Sequence, residues 1–508
     1  MPGRICCRDS GQVGRINQVV PLKRIRDNSA KGVHMGKKVK DLNGCESKDM
    51  GILERLGARL ADWSERWFPD AYIFAAIAVV VVCVAALFAG RSPTQICVDF
   101  GKSFWSLIPF TMQMTFVIIG GYIVAVSPPV KRLVSVLASF PKTPKGAVAY
   151  VAFMAMIASL LSWGFSLIFA GVLTKEVSKR VKGIDYRAIG AAAYLGLGSI
   201  WALGFSSSAA LLMATKGSIP SDLYKISGVI PLLQTILTLQ NLIMIVVLIV
   251  LSVWICYVSC PSAEKAKTAE MAGVRYRDEI EESADKAETP GEYLEYSPVL
   301  TIVIVLLGAG YLVHVFAGQG GLAAMDLNVY NLMFLIIGML LHWKPKSYLK
   351  AAARAVPMTG GVLMQFPLYA GIFGVLMGSG LTEVLSRFFV SISTHGTMPV
   401  VVGIYSAILG LFLPSGGGKW IVEAPYILDA ANQLHVNLGW MVQVYNASEA
   451  LPNFINPFWM LPLLGLTGVK ARDLAGYSIL QLIFHAPVVL IMLWLLAKTV
   501  PYIPPIMQ

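Results

Sequence analysis

Charged side chains are scarce in this chain: 14% of its 508 residues, where a soluble protein carries about 25%. With 56% hydrophobic residues and a mean hydropathy of +0.66, that scarcity excludes a soluble globular protein and implies a polytopic membrane protein. Cysteine is thin as well. Cys6, Cys7, Cys45, Cys83, Cys97, Cys256 and Cys260 form no CxxC pair, so the thiols read as unpaired and no disulfide framework is expected. Of the six histidines, His314, His342 and His485 fall in different apolar runs, which argues against a metal centre; no cofactor is expected. Residues 1–50 are polar and basic and carry no apolar core of signal-peptide length. They are expected to be a disordered cytoplasmic extension, or the result of an upstream start codon, since Met35 and Met50 follow. The net charge of +12 suggests nucleic acid at first sight. Its basic residues, however, sit in short clusters between apolar runs, a pattern of membrane topology and not of a nucleic-acid module.

From Ile52 the pattern changes. Ile52, Leu56, Leu60, Trp63 and Trp67 recur at helical spacing with Arg55, Arg59, Glu65 and Arg66 between them, so 51–70 reads as an amphipathic helix lying on the membrane. A spanning helix needs about 20 apolar residues, and nine candidates follow: 71–90, 104–127, 189–215, 226–258, 297–317, 329–343, 357–378, 436–466 and 475–498. With the N-terminus inside, the cytoplasmic segments carry 34 Lys/Arg and the outer ones 4, which fixes the orientation. The 259–296 segment, with ten Asp/Glu and five Lys/Arg, reads as a solvated cytoplasmic linker. Trp343 and Tyr502 near span ends read as interface anchors.

Two apolar stretches do not fit that count. Both flanks of 146–173 are basic (Lys131, Arg132, Lys142 and Lys145 before; Lys175, Lys179, Arg180, Lys182 and Arg187 after), so both ends lie inside. Its 28 residues are too few for two crossings, which with a turn need roughly 40. It is expected to be a re-entrant hairpin, and 398–424, with 27 residues and flanks nearly free of positive charge, a second one entering from the opposite face. The expected fold is therefore all-α, with about nine transmembrane helices and two re-entrant hairpins in two inverted-topology repeats. These repeats are 71–258 and 329–498, joined by the linker 259–296 and one connecting span, 297–317. Such repeats build a site near the bilayer midplane from broken helices. Each hairpin is followed by an interrupted helix: Ala202-Leu203-Gly204-Phe205-Ser206-Ser207-Ser208 in the first half, Ala450-Leu451-Pro452-Asn453-Phe454-Ile455-Asn456-Pro457 in the second.

Irregular backbone at membrane depth is tolerated only where protein buries it or it lines a water-filled cavity. Pro414-Ser415-Gly416-Gly417-Gly418-Lys419 is then the tip of a binding hairpin, with Leu161-Ser162-Trp163-Gly164-Phe165 at the matching place in the first half. The segments "LPSGGGKWIVEAPYILDAANQLHV", "VYNASEALPNFINPFWMLPLLG" and, earlier, "SWGFSLIFAGVLTKE" resemble the short-chain fatty acid transporter family (AtoE type), bacterial inner-membrane proteins within the broader ion transporter superfamily. The resemblance runs from about residue 55 to 498. It implies uptake of short-chain carboxylates such as acetoacetate or butyrate across the inner membrane; related families in that superfamily use hairpin tips and unwound helices to hold substrate and coupling cations.

The local chemistry suggests roles of its own. A lysine near the bilayer centre costs about 2.5–3.5 kcal/mol on insertion scales, so Lys419 is expected to face a cavity and an anion. That anion is either a structural partner, Glu423 one turn on or Glu449, or the substrate carboxylate. In the second case substrate contacts are expected from Ser415, Gly416, Gly417, Gly418, Lys419, Ser162, Gly164, Ser207 and Asn453. A coupling ion, Na⁺ or H⁺, would then be taken by Glu449, Glu423, Asn446, Asn456, Ser206 and Ser208. Ser166 adds a further neutral oxygen; such oxygens suit a hard cation or cap the broken backbone. Three other readings stay open: a transporter of another small anion such as a dicarboxylate, a Ser415/Lys419 intramembrane hydrolase, and a passive channel. A single dyad would not need breaks in both halves, nor a channel opposed hairpins. The partners expected are the carboxylate and the bilayer; a homo-oligomer stays open.

Overall fold

The computed structural model describes residues 71–274, 287–318 and 321–505. The basic extension, the interfacial helix at 51–70 and the middle of the 259–296 linker lie outside the described residues. Among the described residues the fold is all-α. Seven helical segments are long and apolar enough to cross a membrane by length and composition, and three shorter apolar helices accompany them.

The first half opens with α1 (Ala71–Phe88), α2 (Pro93–Ser103), α3 (Ile108–Ala125) and α4 (Pro128–Leu137). A hairpin of α5 (Pro144–Leu161) and α6 (Trp163–Arg180) comes next. Then α7 (Tyr186–Leu195) breaks into a π turn, Gly196–Ile200, and a 3₁₀ turn, Trp201–Leu203, before α8 (Ser208–Ala214). Short α9 (Ser221–Ser227) and long α10 (Leu239–Ser259) close it. After α11 (Pro290–Tyr296) and α12 (Val299–Gly318) the same order returns: α13 (Leu327–His342), α14 (Pro345–Ala355), α15 (Gly360–Gly378) and α16 (Leu381–Ile392). The second hairpin is α17 (Met398–Phe412) and α18 (Gly416–Gln433). The second broken helix is α19 (Leu438–Ala450), two 3₁₀ turns (Leu451–Phe454, Pro457–Met460) and α20 (Leu461–Thr467), and α21 (Ala471–Ala497) ends the fold.

The halves exchange their leading elements. Helices α1 and α2 pack on α15 of the second half, while α13 and α14 pack on α3 of the first. Glycines make the seams close: Gly371 meets the Phe100 ring and Gly374 the Ser103 side chain on α2, and Gly338 meets Ile123. Small residues serve this purpose in lipid, where no hydrophobic force joins helices and van der Waals contact decides. The connecting helix α12 is the opposite case. It is apolar but for Thr301 and His314, and only Thr301 and Val315 on it are buried, since side chains facing lipid need no protein cover.

Three features differ from the sequence expectation, the first being that the span expected at 226–258 is continuous helix only over Leu239–Ser259. The hairpin arms run past the apolar stretches, to Arg180 and Gln433, because a helix continues where its residues turn polar outside the lipid. Four helices of 10–12 residues, α2, α4, α14 and α16, occupy segments read as connecting loops. Each alternates apolar and charged residues at helical spacing, and three of them start on proline, which suits a first helical turn. Lys216 and Lys498 also fall just beyond helix ends. Counted with the four outer basic residues they leave the charge asymmetry at 34 to 6.

Candidate functional site

At the first hairpin tip a single residue, Ser162, separates the arms. Its extended backbone (φ −159°, ψ 125°) ends α5, and its Oγ accepts from the Phe165 amide at 3.4 Å as the N-cap of α6. The first helix break holds this tip in place. The Phe205 amide donates to Leu160 O (2.7 Å) and Ser206 Oγ accepts from the Trp163 amide (3.0 Å). Across the halves, the Tyr330 hydroxyl donates to Leu161 O at 2.9 Å. Ser166 Oγ, donating to Ala155 O at 2.7 Å, braces the two arms.

The second tip is Leu413-Pro414-Ser415. Proline disfavours helix at the residue before it and offers no amide of its own, so α17 stops at Phe412. Ser415 Oγ then accepts from the Gly418 amide at 3.2 Å and caps α18. The three glycines are therefore the first turn of α18 and not the apex of the hairpin. Each lies under an aromatic ring: Gly416 under Trp201, Gly417 under Phe110, Gly418 under Tyr369. A Cβ at any of the three would overlap those rings. The Tyr445 hydroxyl fastens the turn by donating to Gly416 O at 2.6 Å.

Between the two tips lies a cavity of about 490 Å³. Trp163 and Gly164 of the first tip and Pro414 and Ser415 of the second face it, together with Trp459 and Pro462 beyond the second break. Its walls are mostly apolar, from Ile118, Leu167, Ile168 and Val362. The polar groups are few: Ser415, Gln365, Tyr122 and the Trp163 indole, whose buried Nε1 has no hydrogen-bond partner. Among the described residues that line it there is no lysine or arginine.

Lys419 is elsewhere, one turn further along α18 and fully buried. Its Nζ donates to Ser406 O and Ser406 Oγ, both at 2.8 Å. Two carboxylates flank it, Glu449 Oε2 at 2.8 Å and Glu423 Oε1 at 3.2 Å, at ion-pair distance though without the alignment of a hydrogen bond. Ser406 Oγ in turn donates to Glu423 Oε2 at 2.8 Å. The Tyr445 ring lies 4.5 Å from the ammonium, near enough for cation–π attraction. Both glutamates named in advance as partners thus meet the lysine at once, and all three side chains are at most 1% exposed.

The remaining candidates serve the breaks. Ser207 caps α8 by accepting from the Ala210 amide (3.3 Å), and Ser208 sits against Gly417. Asn453 joins the two breaks: its Nδ2 donates to Leu197 O (3.4 Å), and its own carbonyl accepts from the Tyr194 hydroxyl (3.2 Å). Asn446 Nδ2 donates to Gln443 Oε1 at 2.6 Å, and Asn456 is buried beside the second break. Three groups escaped the sequence reading. Trp163 stands between Ser162 and Gly164, both named. Gln365 is a lone amide in the apolar run 357–378, a signal that was there to use. Ser406 gave no signal, because its partners come from the other arm.

Two bacterial relatives have names that assign them, provisionally, to short-chain fatty acid transport. The protein from Escherichia coli (strain K12) is 35% identical over 441 residues, covering 87% of this chain and 99% of the relative. The one from Haemophilus influenzae is 32% identical over 450 residues, covering 88% and 100%. The fold is similar to the crystal structure of the Alcanivorax borkumensis YdaH transporter, described as having an unusual topology. The TM-score is 0.56 at 14% identity, over 86% of this chain and 100% of that one. The sequence pattern of short chain fatty acid transporters matches residues 52–496, and the chain belongs to that family of membrane transporters, which are not enzymes.

Proposed function

We propose that this protein carries small monocarboxylates such as butyrate or acetoacetate across the bacterial cytoplasmic membrane, by alternating access and driven by a coupled cation or proton. The observation that carries this reading is the 490 Å³ cavity between the hairpin tips, of a size usual for small-ligand sites. In this reading the carboxylate head meets Ser415 and Gln365, and the short apolar tail lies along Ile118, Leu167 and Ile168. A dicarboxylate would need a second polar or cationic end, for which the described cavity wall has no lysine or arginine. The hydrolase reading is disfavoured by Lys419 itself: an ammonium held by Ser406, Glu423 and Glu449 is no free base. The inverted arrangement of the halves is supported by the repeated element order, and a cytoplasmic N-terminus by the 34-to-6 charge asymmetry.

The test is counterflow in proteoliposomes. Vesicles preloaded with unlabelled acetoacetate should take up labelled butyrate or acetoacetate saturably, after subtraction of the leak through protein-free vesicles. Exchange of succinate in place of either monocarboxylate would overturn the substrate class, and uptake proportional to concentration without saturation would indicate a channel.

A further inference from the structure

We propose that the buried cluster of Lys419, Glu423 and Glu449 is the proton-coupling site, with Glu449 carrying one proton per transport cycle beside a fixed Lys419–Glu423 ion pair. The proposal rests on the transport reading above and names its coupling ion.

The first argument is a charge count. Two carboxylates and one ammonium, all with at most 1% exposure, leave one negative charge over. An uncompensated charge in such a place costs several kcal/mol even after relaxation. Of the lysine and arginine side chains in the described residues, only Lys419 contacts these two acids.

The second argument concerns what can neutralise the surplus. The ammonium already occupies the centre of an oxygen cage, made by Ser406 O, Ser406 Oγ, Glu449 Oε2 and Glu423 Oε1 at 2.8–3.2 Å. A sodium ion there would sit against a tethered cation. A proton needs no cage: it turns one carboxylate into a carboxylic acid and leaves on the other side by the reverse step.

Position decides between the acids. Glu423 lies in the middle of α18 and accepts the Ser406 hydroxyl, a donor that suits an anion. Glu449 is the second-last residue of α19, where the partial negative charge of the helix end disfavours an anion. It also adjoins the Leu451–Phe454 break, where the α-helix gives way to a 3₁₀ turn. The other groups facing the cluster are neutral: Tyr405 and Tyr426, whose hydroxyls share a hydrogen bond of 2.8 Å, Tyr445 on α19, and Tyr369 on α15. Gly410 of α17 approaches Glu449 and Lys419 without a side chain. His485 of α21 is turned to Ser252 and Gln481.

The test is Glu449→Gln, which leaves a balanced Lys419–Glu423 pair and is expected to fold. In proteoliposomes the variant should keep acetoacetate counterflow within about threefold of wild type, while accumulation driven by an inside-alkaline pH gradient disappears. Glu449→Asp should restore part of that accumulation. Wild type should not accumulate substrate under a sodium gradient at equal pH. The infrared band of a protonated carboxyl, present in wild type, should be missing in Glu449→Gln whether or not that variant transports. Undiminished pH-driven accumulation by Glu449→Gln, sodium-driven accumulation by wild type, or a carboxyl band unchanged in the variant would overturn the proposal. Absence of counterflow in wild type would instead defeat the transport reading, which separates the two failures.

Discussion

Replacing Lys419 with methionine removes the only ammonium among the described residues that touches Glu423 and Glu449 and fills its space with an apolar chain. The two acids are at most 1% exposed in the native structure, and in Lys419→Met both must be buried as neutral acids. Protonating an ordinary carboxyl of pKa about 4.3 at pH 7 costs about 3.7 kcal/mol, at 1.36 kcal/mol per unit. Wild type already bears that cost once if Glu449 holds a proton, so the variant bears it a second time. The resulting loss of about 3.7 kcal/mol agrees with the 3–5 kcal/mol found when one partner of a buried pair is removed. The sign with pH follows. The penalty comes from taking up protons, so it shrinks by about 1.4 kcal/mol for each unit of acidification, and the variant should approach wild-type stability near pH 5. The triple variant Lys419→Met/Glu423→Gln/Glu449→Gln holds no ionisable group in the cluster and should recover stability at every pH, without pH-driven transport. Thermal melting in detergent at pH 5 and pH 8, followed by fluorescence-detected size exclusion, measures all three. A Lys419→Met protein as stable as wild type at pH 8 would refute the charge count.

Gly418→Ala should push a methyl into the Tyr369 ring at a cost of about 1–3 kcal/mol, with melting lowered and exchange reduced. Gly465→Ala on α20, where a Cβ meets open space, is the control and should leave both unchanged. Gln365→Leu deletes the amide of the cavity wall and should raise the apparent KM for exchange about tenfold, the equivalent of 1.4 kcal/mol, with the maximal rate kept; an unchanged KM would remove Gln365 from the head-group site. For the inverted hairpins, cysteines at Ser139 and Lys182 in a cysteine-free background should react with impermeant reagents only from the cytoplasmic side. Cysteines at His395 and Gln433 should react only from the other. Labelling from opposite sides within either pair would mean that the hairpin crosses the membrane.

The spans were legible because a run of 20 apolar residues leaves a chain few alternatives to a membrane helix. Helices α1, α10, α12 and α21 start or end within a few residues of an expected boundary. The breaks were legible for a similar reason: Gly204 with Ser206–Ser208, and Pro452 with Asn453 and Asn456, are poor company for a continuous helix. The short helices α2, α4, α14 and α16 disappeared because averaging over a span-length window cancels an amphipathic stretch of 10–12 residues. Proline at the start of α2, α4 and α14 would have marked them. The site was half legible. Lys419 with Glu423 is a spacing of four on one helix and could be read directly. That Glu449 joins the same ammonium, and that the Ser406 carbonyl and hydroxyl close around it, depends on α17 and α19 lying against α18, which local sequence does not encode.

The division of labour along α18 explains why so short a segment concentrates so many unusual residues. Ser415 faces the cavity, and Lys419 stands in the charge cluster one turn on, a rise of about 6 Å at 1.5 Å per residue. Between them three glycines hold no side chain, and rings from the first break, α3 and α15 press on the backbone from Trp201, Phe110 and Tyr369. A displacement of the Ser415 end by a ligand therefore has no side-chain packing within the first turn to absorb it and must be taken up by the rings or passed to Lys419. The Tyr445 hydroxyl, bound to Gly416 O while its ring covers the Lys419 ammonium, ties the same two points together from α19. On the proposed reading, substrate at Ser415 and a proton on Glu449 would both act on α18. That is the physical requirement for coupling, since a ligand shifts a conformational equilibrium only through what it contacts differently in the two states.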